Sequence, residues 1–100
     1  MISSAPFRVG GETDAKRLAG ALAKDARAAE LAAPGVPHVV RMEMIGAAAV
    51  NVAVKAVAIA RSYLAVNGLD LSLRPSFFDI EVAGKEKSAI AFAVVIRPRD

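Results

Sequence analysis

The chain has no cysteine and no tryptophan, one histidine, one tyrosine and four phenylalanines in 100 residues. Without thiols, disulfide scaffolds and thiolate metal sites are excluded, and a reducing cytoplasm fits. His38 stands alone, with no second imidazole for a zinc site or a catalytic triad. No phosphate-binding glycine loop, dinucleotide fingerprint or nucleophile elbow occurs, so neither an enzyme nor a bound cofactor or metal is expected. Met1-Ile2-Ser3-Ser4-Ala5-Pro6 has neither the basic start nor the apolar stretch of a secretory leader. The apolar run over 44–54 is broken by Asn51 and closed by Lys55, well short of the roughly 20 residues that span a bilayer. A soluble, cytoplasmic protein without membrane contact is the expectation.

What is present is small and apolar. The composition is 55% hydrophobic but only 5% aromatic, so the core must be built mainly from alanine and valine. One hundred residues suffice for one domain. Net charge is +3, from 13 basic and 10 acidic residues, a balance that tolerates nucleic acid without requiring it.

Residues 1–6 read as a flexible lead-in, 7–97 as one domain and 98–100 as a polar tail. Phe7-Arg8-Val9 is a short strand, stopped by Gly10-Gly11. A helix starts at Thr13 or Asp14, either of which can cap it, and carries Leu18, Ala19, Leu22 and Ala26 at helical spacing. Gly20 lies inside it at a cost of about 1 kcal/mol relative to alanine, which points to close approach of another backbone. Pro34-Gly35-Val36-Pro37 ends that segment. A strand follows over 38–45, a second helix over 47–66 and a third strand from Leu69. Pro75 interrupts that strand, marking a bulge, a bend or an edge position, before Phe78, Ile80 and Val82 resume an alternation with Asp79 and Glu81. A hairpin turn over 83–87 leads to a last strand, with Ile90, Phe92, Val94 and Ile96 opposed to Ala89, Ala91 and Ala93. The order β-α-β-α-β-β, with one apolar face per strand, predicts an α+β, two-layer fold. Two helices lie on one face of a four-stranded mixed sheet.

The second helix is apolar around most of its circumference. At about 100° per residue, Asn51, Lys55 and Ser62 fall within about 40° of each other, with Arg61 about 80° aside. Such a helix is buried on more than one side, and a partner subunit supplies the third side if the protein is a homodimer or larger assembly. Ala53 and Ala58 are the candidate interface positions. The alternative is that these alanines simply face water.

Several groups invite a functional reading beside a structural one. Asn51, Lys55 and Arg61 suit phosphate contacts, or form the one wet stripe that the helix needs. Gly46, ahead of that helix, can leave free N–H groups for an anion, or is a plain turn glycine. Arg74, Lys85 and Lys87 suit a basic arm on a nucleic acid, with Asp79, Glu81 and Glu86 expected to dilute its charge. Asp79 and Glu81 have no basic, metal-binding or nucleophilic companion and read as a solvated face. His38, beside Pro37, is expected to be partly exposed.

The stretch Ile45-Gly46-Ala47-Ala48-Ala49-Val50-Asn51-Val52-Ala53-Val54-Lys55-Ala56-Val57-Ala58-Ile59-Ala60-Arg61 closely resembles the signature helix of the stage V sporulation protein S family. The match continues through Gly68-Leu69-Asp70-Leu71, Pro75-Ser76-Phe77-Phe78-Asp79-Ile80 and Glu86-Lys87-Ser88-Ala89-Ile90. The resemblance implies an Alba-like fold and a place in bacterial sporulation or developmental regulation. Because the Alba superfamily binds DNA or RNA as dimers, it also implies nucleic acid as the partner, with Asn51, Lys55 and Arg61 at family-like polar positions. The chain departs from the pattern at Ala48, Val52 and Phe78, where the family tends to have glycine, glutamine and threonine. Gly10-Gly11-Glu12-Thr13-Asp14 stands where Alba-type binders carry lysine. Two readings follow. One is a regulatory module that holds nucleic-acid backbone without base readout. The other is an assembly factor in developmental regulation that binds no nucleic acid.

Overall fold

The computed structural model describes residues 5–99; most of the lead-in and Asp100 of the tail lie outside them. The elements are β1 (Phe7–Val9), α1 (Ala15–Ala32), β2 (His38–Met44), α2 (Ala47–Ala65), β3 (Leu69–Val82) and β4 (Lys85–Pro98). The last strand therefore takes Arg97 and Pro98 into the sheet, and Arg99 N–H donates to the Gly68 carbonyl at 2.8 Å. Sheet order is β1-β2-β4-β3, with β1 parallel to β2 and the other pairs antiparallel.

Asp14 is the residue that caps α1, its Oδ1 accepting from the N–H groups of Lys16 and Arg17 at 2.9 and 3.3 Å. Leu18, Leu22 and Ala26 of α1 and Ala53, Ala56, Ala60 and Leu64 of α2 bury against Val40, Met42, Phe92 and Val94 of the sheet. Short alanine side chains let the two helices approach closely. Gly11, in the loop ahead of α1, lies close to the start of α2, since a Cβ there would stand 2.9 Å from the Cβ of Ala48 in the first turn of that helix. Gly20 does not serve the role that its position in the helix suggests. A Cβ there meets nothing within 4 Å, because it lies on the solvent side of α1. His38 is also more enclosed than expected: it points to the inner side of β2, with Nε2 3.1 Å from Asp25 Oδ2 of α1.

By length and composition α2 is long and apolar enough to cross a membrane, but six of its residues are buried in the core of the domain. Its outer side, including Val54 and Ala58, faces solvent.

The hairpin of β3 and β4 decides where everything else sits. Register runs one to one from Leu69↔Pro98 to Val82↔Lys85, so Pro75 causes no bulge. It occupies the edge strand, whose free side has no neighbour to be deprived of a donor. Ala83 and Gly84 close the hairpin with φ of +53° and +77°, the left-handed pair that a two-residue turn demands. At about 3.4 Å per residue each 14-residue strand is roughly 45 Å long, against roughly 28 Å for α2. The distal half of the hairpin therefore projects past the helices as an arm, and the molecule measures 43 × 24 × 19 Å.

Candidate nucleic-acid interface

Because the register never slips, side chains on β3 alternate without interruption, and the apolar set changes sides midway. Leu69, Leu71 and Leu73 face the helices, opposite Pro98, Ile96 and Val94. Phe78, Ile80 and Val82 have the other parity and lie on the helix-free face, opposite Ala89, Lys87 and Lys85. Arg41 of β2 extends over Phe78, its Cζ 5.0 Å from the ring centroid, a cation–π contact. With this cover Ala89 and Ala91 are buried although no helix lies on their side.

The same parity sorts the charges. Arg8, Arg41, Arg74, Lys85, Lys87 and Arg97 all belong to the helix-free face, where the register sets Arg74, Ala93 and Arg41 in one row across three strands. The strands bring two carboxylates to that face, and both are engaged. Glu43 accepts from Arg41 Nε at 2.7 Å, and Asp70 from Arg61 Nε at 2.8 Å. Arg8, Arg74, Lys85, Lys87 and Arg97 have no ion-pair partner among the described residues. Asp79, Glu81 and Glu86 have the opposite parity and lie on the helix side of the arm, with no cation of the arm among them. Alternation puts Asp79 and Glu86 on the side of the ribbon away from its cations, so the expected dilution of the basic charge is confined to Glu81, which also borders the cleft at the root of the arm.

The sequence candidates separate into two groups. Arg74, Lys85 and Lys87 share the helix-free face. Asn51 and Lys55 are exposed on the outer side of α2, in the other layer, with Val54 and Ala58 between and beyond them. Arg61 is turned onto Asp70, which holds the Asp70 carboxyl below its ordinary range, helped by the Leu71 N–H. Ser62 spends its hydroxyl on the Ile59 carbonyl at 2.7 Å. Ala53 is 0% exposed, packed inside its own protomer, so its side chain is not offered to a partner as the sequence suggests; Ala58 is exposed. Gly46 has φ of +91° and caps α2 without a side-chain hydrogen bond. Arg8, Arg41 and Arg97 went unnoticed because they are scattered along the chain. The two-residue turn at Ala83-Gly84 fixes the parity of both long strands and so the side of Arg97, while the pairing of β1 with β2 and of β2 with β4 brings Arg8 and Arg41 to the same face.

At the root of the arm a half-open cleft of about 590 Å³ runs between Arg8 of β1, Glu43 of β2 and Phe78 and Ile80 of β3.

A two-layer β-α-β-α-β-β domain with one bare sheet face is an Alba-like domain. Alba from Thermoplasma volcanium superposes with a TM-score of 0.59 at 10% identity, over 93% of this chain and 99% of that one. The chain belongs to the stage V sporulation protein S family, whose family model matches residues 5–97. That agrees with the likeness of α2 to the signature helix and sets the protein among sporulation-related regulators. Neither the family nor the Alba fold is known for catalysis.

Proposed function

We propose that the protein is a non-enzymatic regulatory module that binds nucleic acid through its phosphates, on the helix-free sheet face and the basic side of the arm. The observation that carries this is the segregation of charge: six cations on that face, with both of its carboxylates already paired. Along a strand, residues of one face recur about every 6.7 Å, close to the spacing of successive phosphates, so a backbone can follow the ribbon. Arg74, Lys85 and Lys87 act as point contacts, and no base is read by them.

The other sides of the molecule suit a second copy. The outer side of α2 combines Val54 and Ala58 with Lys55 and has no acid, whereas the helix side of the arm combines Phe77, 80% exposed, with Asp79, Glu81 and Glu86. Each surface complements the other in charge and in apolar content. A reciprocal contact of arm on α2 has the self-complementarity of a twofold dimer. It leaves the basic face free for a cytoplasmic nucleic-acid partner, DNA or RNA. If the assembly alone matters, the protein is an assembly factor in developmental regulation, and the same surfaces suffice.

Filter binding of duplex across a salt series tests the proposal. Log K should fall linearly with log salt at about −0.9 per phosphate contact, and Arg74→Ala, Lys85→Ala and Lys87→Ala should each remove about one contact from the slope. Absence of binding by the folded protein at low salt refutes it and leaves the assembly role.

A further inference from the structure

The cleft at the root of the arm is not needed to hold phosphates, and its chemistry is wrong for them. Glu43 of β2 and Glu81 of β3 both line it. A phosphate placed between two carboxylates is repelled. Glu43 gives Oε2 to Arg41, so its other oxygen and the Glu81 carboxylate are what accept N–H donors, such as the exocyclic amino group of an unpaired base. The walls, Phe78 and Ile80, are apolar, and the Phe78 ring, with Arg41 over one face, is the aromatic surface that a base would meet. At about 590 Å³ the volume lies within the range of small-molecule sites. Arg8, without an ion-pair partner among the described residues, also lines the cleft and suits the phosphate attached to that base.

We propose that this cleft takes one unpaired, amino-bearing base (cytosine, adenine or guanine) of a strand lying on the basic face. The preferred ligand is then a single strand, because a base inside a duplex cannot enter. Thymine and uracil, which present a carbonyl where cytosine has its amino group, fit poorly beside Glu43 and Glu81. This inference rests on the nucleic-acid reading above and adds a base preference to it.

Fluorescence anisotropy with labelled dC12, dA12, dT12 and a duplex of the same length tests it. The expected result is that dC12 and dA12 bind roughly tenfold tighter than dT12, the scale of one base contact made or lost. Phe78→Ala should bring all three to the dT12 value while duplex binding is retained, and Phe78→Tyr should keep the preference. Glu81→Gln, on an exposed position that leaves the fold intact, should narrow the difference between dC12 and dT12 by several-fold. Equal binding of dT12 and dC12, or a preference that survives both Phe78→Ala and Glu81→Gln, overturns the cleft assignment while phosphate binding stands. Displacement of dC12 by free dCMP at comparable concentration overturns the strand assignment and makes the cleft a nucleotide site. No binding of strand or duplex overturns the nucleic-acid reading and the cleft with it.

Discussion

Arg61 on α2 donates from Nε to Oδ1 of Asp70 on β3 at 2.8 Å, and the same oxygen receives the Leu71 N–H at 2.9 Å. The contact ties the last turns of the long helix to the edge strand. It also withdraws Arg61 from the cations available to a ligand, although sequence spacing alone makes it a candidate.

Its pH dependence follows from the lowered Asp70 carboxyl. A carboxyl held below its unfolded value, near 3.9 for aspartate, stabilises the fold above that value and ceases to do so as pH falls through the folded one. Both side chains are substantially exposed, so the contribution is about 0.5 kcal/mol. Thermal melts of wild type and Asp70→Asn should differ slightly at pH 6 and converge as the pH falls through and below the ordinary aspartate range. A difference that persists into the acid range assigns the effect to packing instead.

Gly11 and Gly20 make opposite predictions for the same substitution. Gly11→Ala pushes a methyl to 2.9 Å from the Ala48 Cβ and should destabilise by about 1–3 kcal/mol. Ala48→Gly in the same chain should restore much of that loss, a coupling readable in a double-mutant cycle. Gly20→Ala meets nothing within 4 Å on the solvent side of α1 and should stabilise by up to about 1 kcal/mol. Urea titrations distinguish the two directly.

Ala53→Glu and Ala58→Glu separate core from surface on α2. Ala53 is wholly enclosed by its own protomer, so a buried, unpaired carboxylate there should unfold the domain. Ala58 is exposed, so its glutamate variant should keep the helical circular dichroism spectrum of the wild type. If α2 packs on the arm of a second copy, light scattering should report a smaller particle for Ala58→Glu, and for Phe77→Ser by the same logic. An unchanged particle size for both variants places the interface elsewhere.

The element order and the two layers were legible because periodicity is local: 3.6 residues along α1 and α2, two along β2 and β4. Membership of the family was legible from α2 itself. What could not be read was which long-range neighbours each residue acquires. Pro75 in the third strand reads equally as a bulge, a bend or an edge position, and a bulge or bend leaves the side taken by Phe78 open. Only an unbroken register through Pro75 reveals that Phe78 and Ile80 leave the helix side. The basic face shares that origin, since Arg8, Arg41, Arg74 and Arg97 are far apart in the chain and meet only through pairing across strands. Ala53 illustrates a different limit. Small apolar residues on a helix with little charge give no cue to which side faces the sheet, and Ala53 and Ala58 look alike until the helix is docked.

The segregation of charge across the arm can be tested without altering composition. Glu86 and Lys87 are neighbours in the chain but lie on opposite sides of the ribbon, Glu86 across from Glu81 and Lys87 across from Ile80. Exchanging them, as Glu86→Lys with Lys87→Glu, leaves the net charge of +3 unchanged. A protein that attracts nucleic acid by net charge alone should bind as before, because steering depends on the overall field. If phosphates lie along the helix-free face, the exchange removes one contact there and adds a repelling carboxylate. The log–log salt slope should then fall by about 0.9 or more, with several-fold weaker binding near physiological salt. Both substitutions are on exposed strand positions next to the turn, so the melting temperature should hardly move. Unchanged affinity with unchanged stability places the phosphates off this side of the arm, and the outer side of α2, with Asn51 and Lys55, becomes the next surface to mutate.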